Sequence, residues 1–247
     1  MKTSKNFKTV FIFSVLFLGM IVFSISCSNN DDDADPVYVC QTCSNTPDAL
    51  AANDGSAKGV YKGIAVGSTG TLSINIQNGS SAITGTMVLD GVSVALTSNV
   101  TYVNGQPYVA PFTGIYNGSP ISITFSVAIG GGTPIVTSSS IPGHPGIVFT
   151  LFKETSTSLI EAFEGTYSKT GESGIFNILL SNGLGLWGGI VKKNGTSVTE
   201  EIDGTYVNGQ VIDDNGTVIG VITGDELHGS FTDGENNVVT TTGQRTL

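Results

Sequence analysis

The six residues TYVNGQ occupy positions 101–106 and recur at positions 205–210, 104 places further along the chain. The register extends upstream, because residues 70–106 laid over residues 174–210 without a gap share 14 identities in 37 positions. Most of the shared residues are glycine, asparagine and other turn formers. An internal repeat of this kind indicates a duplicated backbone plan, with one structural unit in each half of the chain.

The segments between these turn residues have the period of β-strands. Apolar side chains occupy every second position in residues 72–76, 121–129 and 176–180, which is typical of strands with one buried face. Asn-Gly and Asp-Gly pairs favour tight hairpin turns, since both residues tolerate a positive φ. Eleven such pairs begin at positions 54, 78, 90, 104, 117, 182, 194, 203, 208, 215 and 233.

The turn pairs predict the fold class and its division into segments. In the first repeat they stand 12 to 14 residues apart, which leaves room for strands joined directly to their neighbours. We expect an all-β protein of two tandem antiparallel meanders, each with six to eight strands and forming a small barrel or sandwich. The alternative is one larger pseudo-symmetric barrel.

The predicted segments are a signal peptide (1–26), a tether (27–57), repeat 1 (58–154), a connector of at most two helical turns (155–163) and repeat 2 (164–247).

The N-terminus has the pattern of an export signal. Three lysines precede an uncharged, mostly apolar run at residues 10–23, which is too short to span a bilayer as a helix. The run ends in Ser24-Ile25-Ser26-Cys27, which resembles the lipobox of bacterial lipoproteins, although Ser24 stands where leucine is usual. An acidic stretch follows and resembles the surface-export signal of Bacteroidota lipoproteins. The resemblance implies lipidation at Cys27 and an outer-membrane or cell-surface location; the alternative is plain secretion with an ordinary thiol.

Cys40 and Cys43 form a C-x-x-C pair just after this region. In an exported protein we expect a small structural disulfide between them. A redox role would require a thioredoxin-like context, and a zinc site would require two further ligands near these cysteines. Neither is visible in the sequence, and we predict no metal and no cofactor.

The charge distribution excludes nucleic acid as a partner. Removing three lysines with the signal peptide leaves seven basic and 20 acidic residues, a net charge of −13. Between positions 59 and 152 the charged residues are Lys62 and Asp90, whereas residues 154–247 carry 13 acidic and four basic side chains. The acidic half accounts for solubility. The alternative is that the neutral half faces a glycan or a partner protein.

Each repeat begins with Gly-x-Tyr and ends with a strand that carries a cation. The tyrosines are Tyr61 and Tyr167, and the cations are Lys153 and Arg245. This pattern is similar to that of the calycins (lipocalins and avidins), in which Gly-x-Trp on the first strand packs against a cation on the last. The resemblance implies barrel-closing contacts between Tyr61 and Lys153 and between Tyr167 and Arg245.

The hydrolase signatures G-x-S-x-G, H-E-x-x-H and S-x-x-K are absent from the sequence, and we expect a protein that is not an enzyme. Trp187, the only tryptophan, is expected to pack in a core; the alternative is that a ligand stacks on it. We therefore expect a membrane-anchored protein whose β modules bind a small hydrophobic ligand, a glycan or a partner protein. The two alternatives are a polysaccharide hydrolase that uses the acidic cluster at residues 200–203 and a purely structural envelope component.

Overall fold

A computed structural model describes residues 37–66 and 70–247. The predicted signal peptide, the predicted lipidation site at Cys27 and residues 27–36 of the tether, with its acidic stretch, lie outside the described residues. Within these residues no helix has the length and apolar character needed to span a bilayer. Residues Tyr38–Leu247 form one compact unit.

The first half of this unit is an antiparallel sheet of eight strands with the spatial order β7-β6-β5-β4-β3-β2-β1-β8 within the described residues. Because β8 returns to pair with β1, the sheet is nearly closed; β7 and β8 approach each other but are not paired. Its strands are β1 Gly59–Val66, β2 Gly70–Ile76, β3 Ile83–Leu89, β4 Val92–Thr97, β5 Tyr108–Tyr116, β6 Ser119–Val127, β7 Ile135–Ser140 and β8 Val148–Glu154.

The second half is a closed antiparallel barrel, in which β16 pairs back onto β9. The described structure is thus all-β with two tandem meanders, as predicted, and the alternative of one larger barrel is not what forms. The strands of this second barrel are β9 Ile160–Lys169, β10 Glu172–Ser181, β11 Leu186–Lys193, β12 Thr199–Val207, β13 Gln210–Asp213, β14 Val218–Thr223, β15 Glu226–Thr232 and β16 Val238–Arg245.

The repeated turn residues occupy equivalent places in the two sheets. Asn78-Gly79 and Asn182-Gly183 connect the second and third strands of their repeats, and both copies of TYVNGQ lie at the fourth-to-fifth connection. In the second copy Asn208 and Gly209 have φ of 52° and 81° and form a tight hairpin. The duplicated backbone plan is therefore present in the structure.

Two local expectations from the sequence are corrected. The pair Asp203-Gly204 does not form a turn but lies inside β12, because both flanking strands extend the ladder through it. The connector is not helical: β9 begins at Ile160 and pairs with β10 at once, so the connection between the repeats is reduced to residues 155–159.

The interior of the first barrel is filled by side chains. Large residues such as Tyr61, Phe112 and Phe125 are fully buried there, and the rings of Phe112 and Phe125 meet edge to face with centroids 6.2 Å apart. They belong to one apolar cluster whose buried members come from seven of the eight strands. The edge strand β7 adds the partly buried Val136. Dense packing of this kind stabilises the fold and leaves little internal space.

The two barrels pack against each other through a second apolar cluster. Ile64 and Val66 of β1 contact residues of β9, β10 and β11, including Ile160 and Leu179. This contact explains why every residue of β1 is buried, since one face of the strand lies in the first core and the other against the second barrel. Asn177 Nδ2 donates a hydrogen bond to the Ala65 carbonyl, 3.0 Å across the junction.

Candidate functional site

The second barrel contains a cavity of about 470 Å³. Its antiparallel strands place the β9–β10, β11–β12, β13–β14 and β15–β16 connections at one end, which we call the mouth. The opposite end carries the other connections and is called the closed end. Apolar side chains from five strands line the depth of the cavity: Phe176, Ile178, Trp187, Ile202, Val211 and Leu227. Charged residues lie near the mouth.

Large aromatic residues of the cavity wall lie opposite glycines. Trp187 on β11 faces Gly204 on β12, Phe176 on β10 faces Gly165 on β9, and Tyr167 faces Gly174. A Cβ atom on Gly204 would lie 2.8 Å from Trp187 Nε1, which is too close for an unshifted ring. The absence of side chains at such inward positions lets the rings lie against the wall and leaves free volume in the middle of the barrel.

Trp187 combines the two roles that the sequence left open. Its side chain is 2% exposed, and its indole N–H donates a hydrogen bond to the Ile212 carbonyl at 2.8 Å. The ring is thus a core residue held by a strand of the barrel, and it also lines the cavity. Because the N–H already has a partner, Trp187 presents only apolar ring surface to the cavity.

Two lysines near the mouth are each paired with a carboxylate. Lys169 Nζ lies 3.0 Å from Asp233 Oδ2, and Lys193 Nζ lies 2.8 Å from Glu172 Oε2. Hydrogen bonds from the Asn237 backbone N–H, and then from Lys169, lower the pKa of Asp233 to about 2. The hydrogen bond from Lys193 is the largest cause of the lowered pKa of Glu172. Both carboxylates are therefore ionised at neutral pH and neutralise the lysines.

Besides Glu172 and Asp233, five carboxylates border the cavity, and three of them are considered first: Glu200, Asp213 and Asp214; the other two are Glu201 and Asp203 of β12. Within the described residues none of the three forms a salt bridge. Asp213 Oδ1 accepts the backbone N–H groups of Asn215 and Thr217, at 3.0 and 2.7 Å, which shapes the turn after β13. The mouth therefore carries a net negative charge.

The acidic triplet of β12, Glu200, Glu201 and Asp203, is divided between the two faces of the strand. Side chains alternate along a strand, so Glu200 shares a face with the core residue Ile202, whereas Glu201 and Asp203 share the other face. All three carboxylates are exposed.

Arg245 seals the closed end of the second barrel. Its guanidinium Nη1 lies 3.2 Å from Glu161 Oε1 and 3.3 Å from Asp225 Oδ1, and the side chain is almost fully buried. Burial raises the pKa of Glu161, and the charge of Arg245 opposes that rise. The guanidinium also donates to the Ser44 carbonyl and to Asn45 Oδ1. This end is thereby covered by the chain segment that precedes the first barrel.

The same segment makes further contacts with the closed end. The Tyr38 backbone N–H donates to Glu226 Oε1 at 2.9 Å, and its hydroxyl donates to the Arg245 carbonyl at 2.9 Å. The Cys40 N–H donates to Asp225 Oδ2 at 2.8 Å. Cys40 and Cys43 are joined by a disulfide, which closes a short loop within this segment. Residues Tyr38–Asn45 are called the clasp below.

The two tyrosine–cation contacts implied by the calycin resemblance have different outcomes. Tyr61 lies opposite Lys153 in the β1–β8 ladder, with Nζ 5.9 Å from the ring centroid. Tyr167 and Arg245 do not meet, which corrects the second expectation: Thr241 lies opposite Tyr167, and Arg245 lies opposite Phe163. The physical reason is register, because Arg245 stands four positions beyond Thr241 along β16, towards the closed end of the barrel.

The two histidines lie in different barrels, and neither lines the cavity. His144 Nε2 is 3.4 Å from Asp90 Oδ2 and 3.3 Å from the Tyr116 hydroxyl in the first barrel. His228 lies on β15, exposed, 3.5 Å from Glu226. In residues 37–66 and 70–247, no group of three or more His, Cys, Asp and Glu side chains has the geometry to hold a metal ion.

The cavity was the feature that sequence reasoning missed. Strand alternation predicted which residues face inward, yet the volume left between them depends on their sizes. The glycines opposite Trp187 and Phe176 were the signal that could have revealed it. Comparison of the chain with protein-family models, curated proteins and solved structures finds no match in any of the three.

Proposed function

We propose that this protein is a lipid-anchored envelope protein whose second barrel binds a small ligand with an apolar body. The observation that carries the proposal is the 470 Å³ cavity lined in its depth by Phe176, Trp187 and Leu227. A concave, mostly apolar space of this size with polar groups at one end is the usual form of a small-molecule site. Burying the apolar surface of a ligand there would provide the driving force for binding.

The first barrel has a supporting role in this proposal. Its interior holds Tyr61, Phe112, Phe125 and other fully buried side chains, so a ligand would have to displace core residues to enter. Ile64 and Val66 of its strand β1 pack against the second barrel. The first barrel therefore acts as a rigid platform for the second.

Trp187 supplies a direct test of ligand binding because it is the only tryptophan in the chain. The purified protein is titrated with apolar probes such as decanol while indole fluorescence is followed. We expect a saturable change in intensity and wavelength as ligand replaces water near the ring. No saturable change with any apolar probe would contradict the proposal.

A matched pair of variants locates the binding site. Val191→Phe adds ring atoms to the cavity lining, and Val198→Phe adds the same atoms to an exposed position outside it. We expect Val191→Phe to weaken binding by about tenfold or more, because part of the volume is occupied. Equal affinity in both variants would place the ligand elsewhere.

The anchor is tested separately from the cavity. Cys27→Ala removes the thioether-forming thiol and should release the protein from the membrane fraction or block its maturation. Cys43→Ser is the control, because it removes a cysteine that the proposal does not lipidate. Unchanged membrane association of the Cys27→Ala protein would refute lipid anchoring and would leave the cavity result untouched.

A further inference from the structure

We propose that the ligand is a cationic amphiphile, with an apolar tail in the barrel and a protonated amine at the mouth. This inference rests on the proposed function, since it names the chemical class that the same cavity selects. Three observations carry it: the apolar depth, the saturated indole N–H and the uncompensated carboxylates at the mouth.

The depth of the cavity excludes the charged group of a ligand. Phe176, Ile178, Val211 and Leu227 offer no hydrogen-bond partner, and the Trp187 N–H is already used by the Ile212 carbonyl. A buried charge without a partner is strongly disfavoured. The polar head of any amphiphile must therefore remain at the mouth while its tail occupies the depth.

The charges at the mouth then decide the sign of the head group. Lys169 and Lys193 are held by Asp233 and Glu172, at 3.0 and 2.8 Å, so neither is free to bind an anionic head without breaking an ion pair. Glu200, Asp213 and Asp214 are left without a cation in the described part of the chain. They attract an ammonium group and repel a carboxylate.

How much more tightly an amine binds than an acid depends on how far the carboxylates at the mouth are exposed to solvent. Each charge pair in contact with solvent is weak. The carboxylates at the mouth, however, raise the affinity for an ammonium head group and lower the affinity for a carboxylate head group, so the two effects add in the ratio. Across these carboxylates we expect an amine to bind about tenfold or more tightly than an acid with the same tail. The difference should shrink at high salt, because solvent screens exposed charges.

The experiment compares decylamine, decanol and decanoate at pH 7 by Trp187 fluorescence, with concentrations kept below micelle formation. We expect affinity to fall in that order, and the ratio of amine to acid to shrink at 0.5 M salt and again in the double variant Glu200→Gln with Asp214→Asn. Asp90→Asn, which removes one negative charge from the first barrel, is the control for a change of charge away from the mouth and should leave the ratio unchanged.

The outcomes separate this inference from the proposed function. If decanoate binds as tightly as decylamine, the cationic selectivity is overturned while apolar binding stands. If the ratio survives the double variant, the assignment of the selectivity to the carboxylates at the mouth is overturned. If none of the three compounds changes the fluorescence, the proposed function fails and the selectivity fails with it. If the ratio falls equally in the Asp90→Asn control, selection is a property of net charge and not of the mouth.

Discussion

Removing the ammonium group of Lys62 should destabilise the whole unit strongly. Lys62 Nζ lies 2.7 Å from Glu154 Oε2 and 3.1 Å from Asp48 Oδ2. The Lys62 side chain is 4% exposed and the Glu154 side chain is 0% exposed, so the pair is buried at the junction of the two barrels. Glu154 also accepts the backbone N–H groups of Asp48, Ala49 and Ile160. One carboxylate therefore joins the segment before β1, the end of β8 and the start of β9.

Lys62→Met keeps the apolar stem and leaves Glu154 buried without its cation. Loss of one partner of a buried ion pair costs about 3–5 kcal/mol of unfolding free energy. Because three N–H groups still bind Glu154, we expect a loss at the lower end, about 3 kcal/mol. For a protein of this size each kcal/mol lowers Tm by roughly 2–4 °C, so we expect a fall of roughly 6–12 °C. Thermal unfolding followed by circular dichroism measures this shift.

Two further variants test the reasoning behind that number. Adding Glu154→Gln to Lys62→Met removes the uncompensated charge and should recover part of the lost stability. Lys192→Met, a change at a lysine on β11 that forms no salt bridge among the described residues, should shift stability by less than about 0.5 kcal/mol. A fall of less than 2 °C in Lys62→Met, or a double variant less stable than the single one, would refute the account of the pair.

Three other consequences concern the first barrel, the mouth and the clasp. Lys153 Nζ donates to the carbonyls of residues 53 and 54 at 2.8 and 2.9 Å, so Lys153→Met should cost about 2 kcal/mol by leaving these acceptors without a donor, as a urea titration would show. Asp233 has a pKa of about 2, below its unfolded value of 3.8, so its stabilisation is complete above pH 4 and is lost as pH falls towards 2. Asp233→Asn should therefore flatten the dependence of Tm on pH in that window, and an unchanged slope would contradict the assignment. Replacing Cys40 and Cys43 by serine should increase proteolytic cleavage within residues 38–45 while the barrels stay resistant, because only the clasp is crosslinked by this disulfide.

The sequence predicted the strands and most turns, because both depend on local rules. The repeated hexapeptide TYVNGQ shows where prediction from local sequence fails. The second copy forms a tight hairpin between β12 and β13, whereas the first lies in a wide loop, and β4 and β5 pair only through Thr97 and Thr113. The residue that follows explains the difference: Pro107 has no N–H to donate to a ladder, whereas Val211 has one.

The candidate site was less predictable than the fold, because it depends on distances between remote strands. The expected Tyr167–Arg245 contact required a register that only the closed barrel fixes, and the register places Arg245 beside Phe163. The clasp could not be inferred either, since Asp225 meets Cys40, and Arg245 meets Ser44 and Asn45, only after the barrel has closed. Trp187 was recognised, but its place in a cavity wall depends on a glycine one strand away.

The most direct test of the central claim is a map of backbone amide chemical shifts during titration with decylamine. The account predicts saturable shifts at cavity residues of the second barrel, including Phe176, Trp187 and Val211, with none at Phe112 or Phe125 in the filled first barrel. Shifts centred on the first barrel, or no saturable shifts at all, would contradict the claim that the second barrel is the binding module.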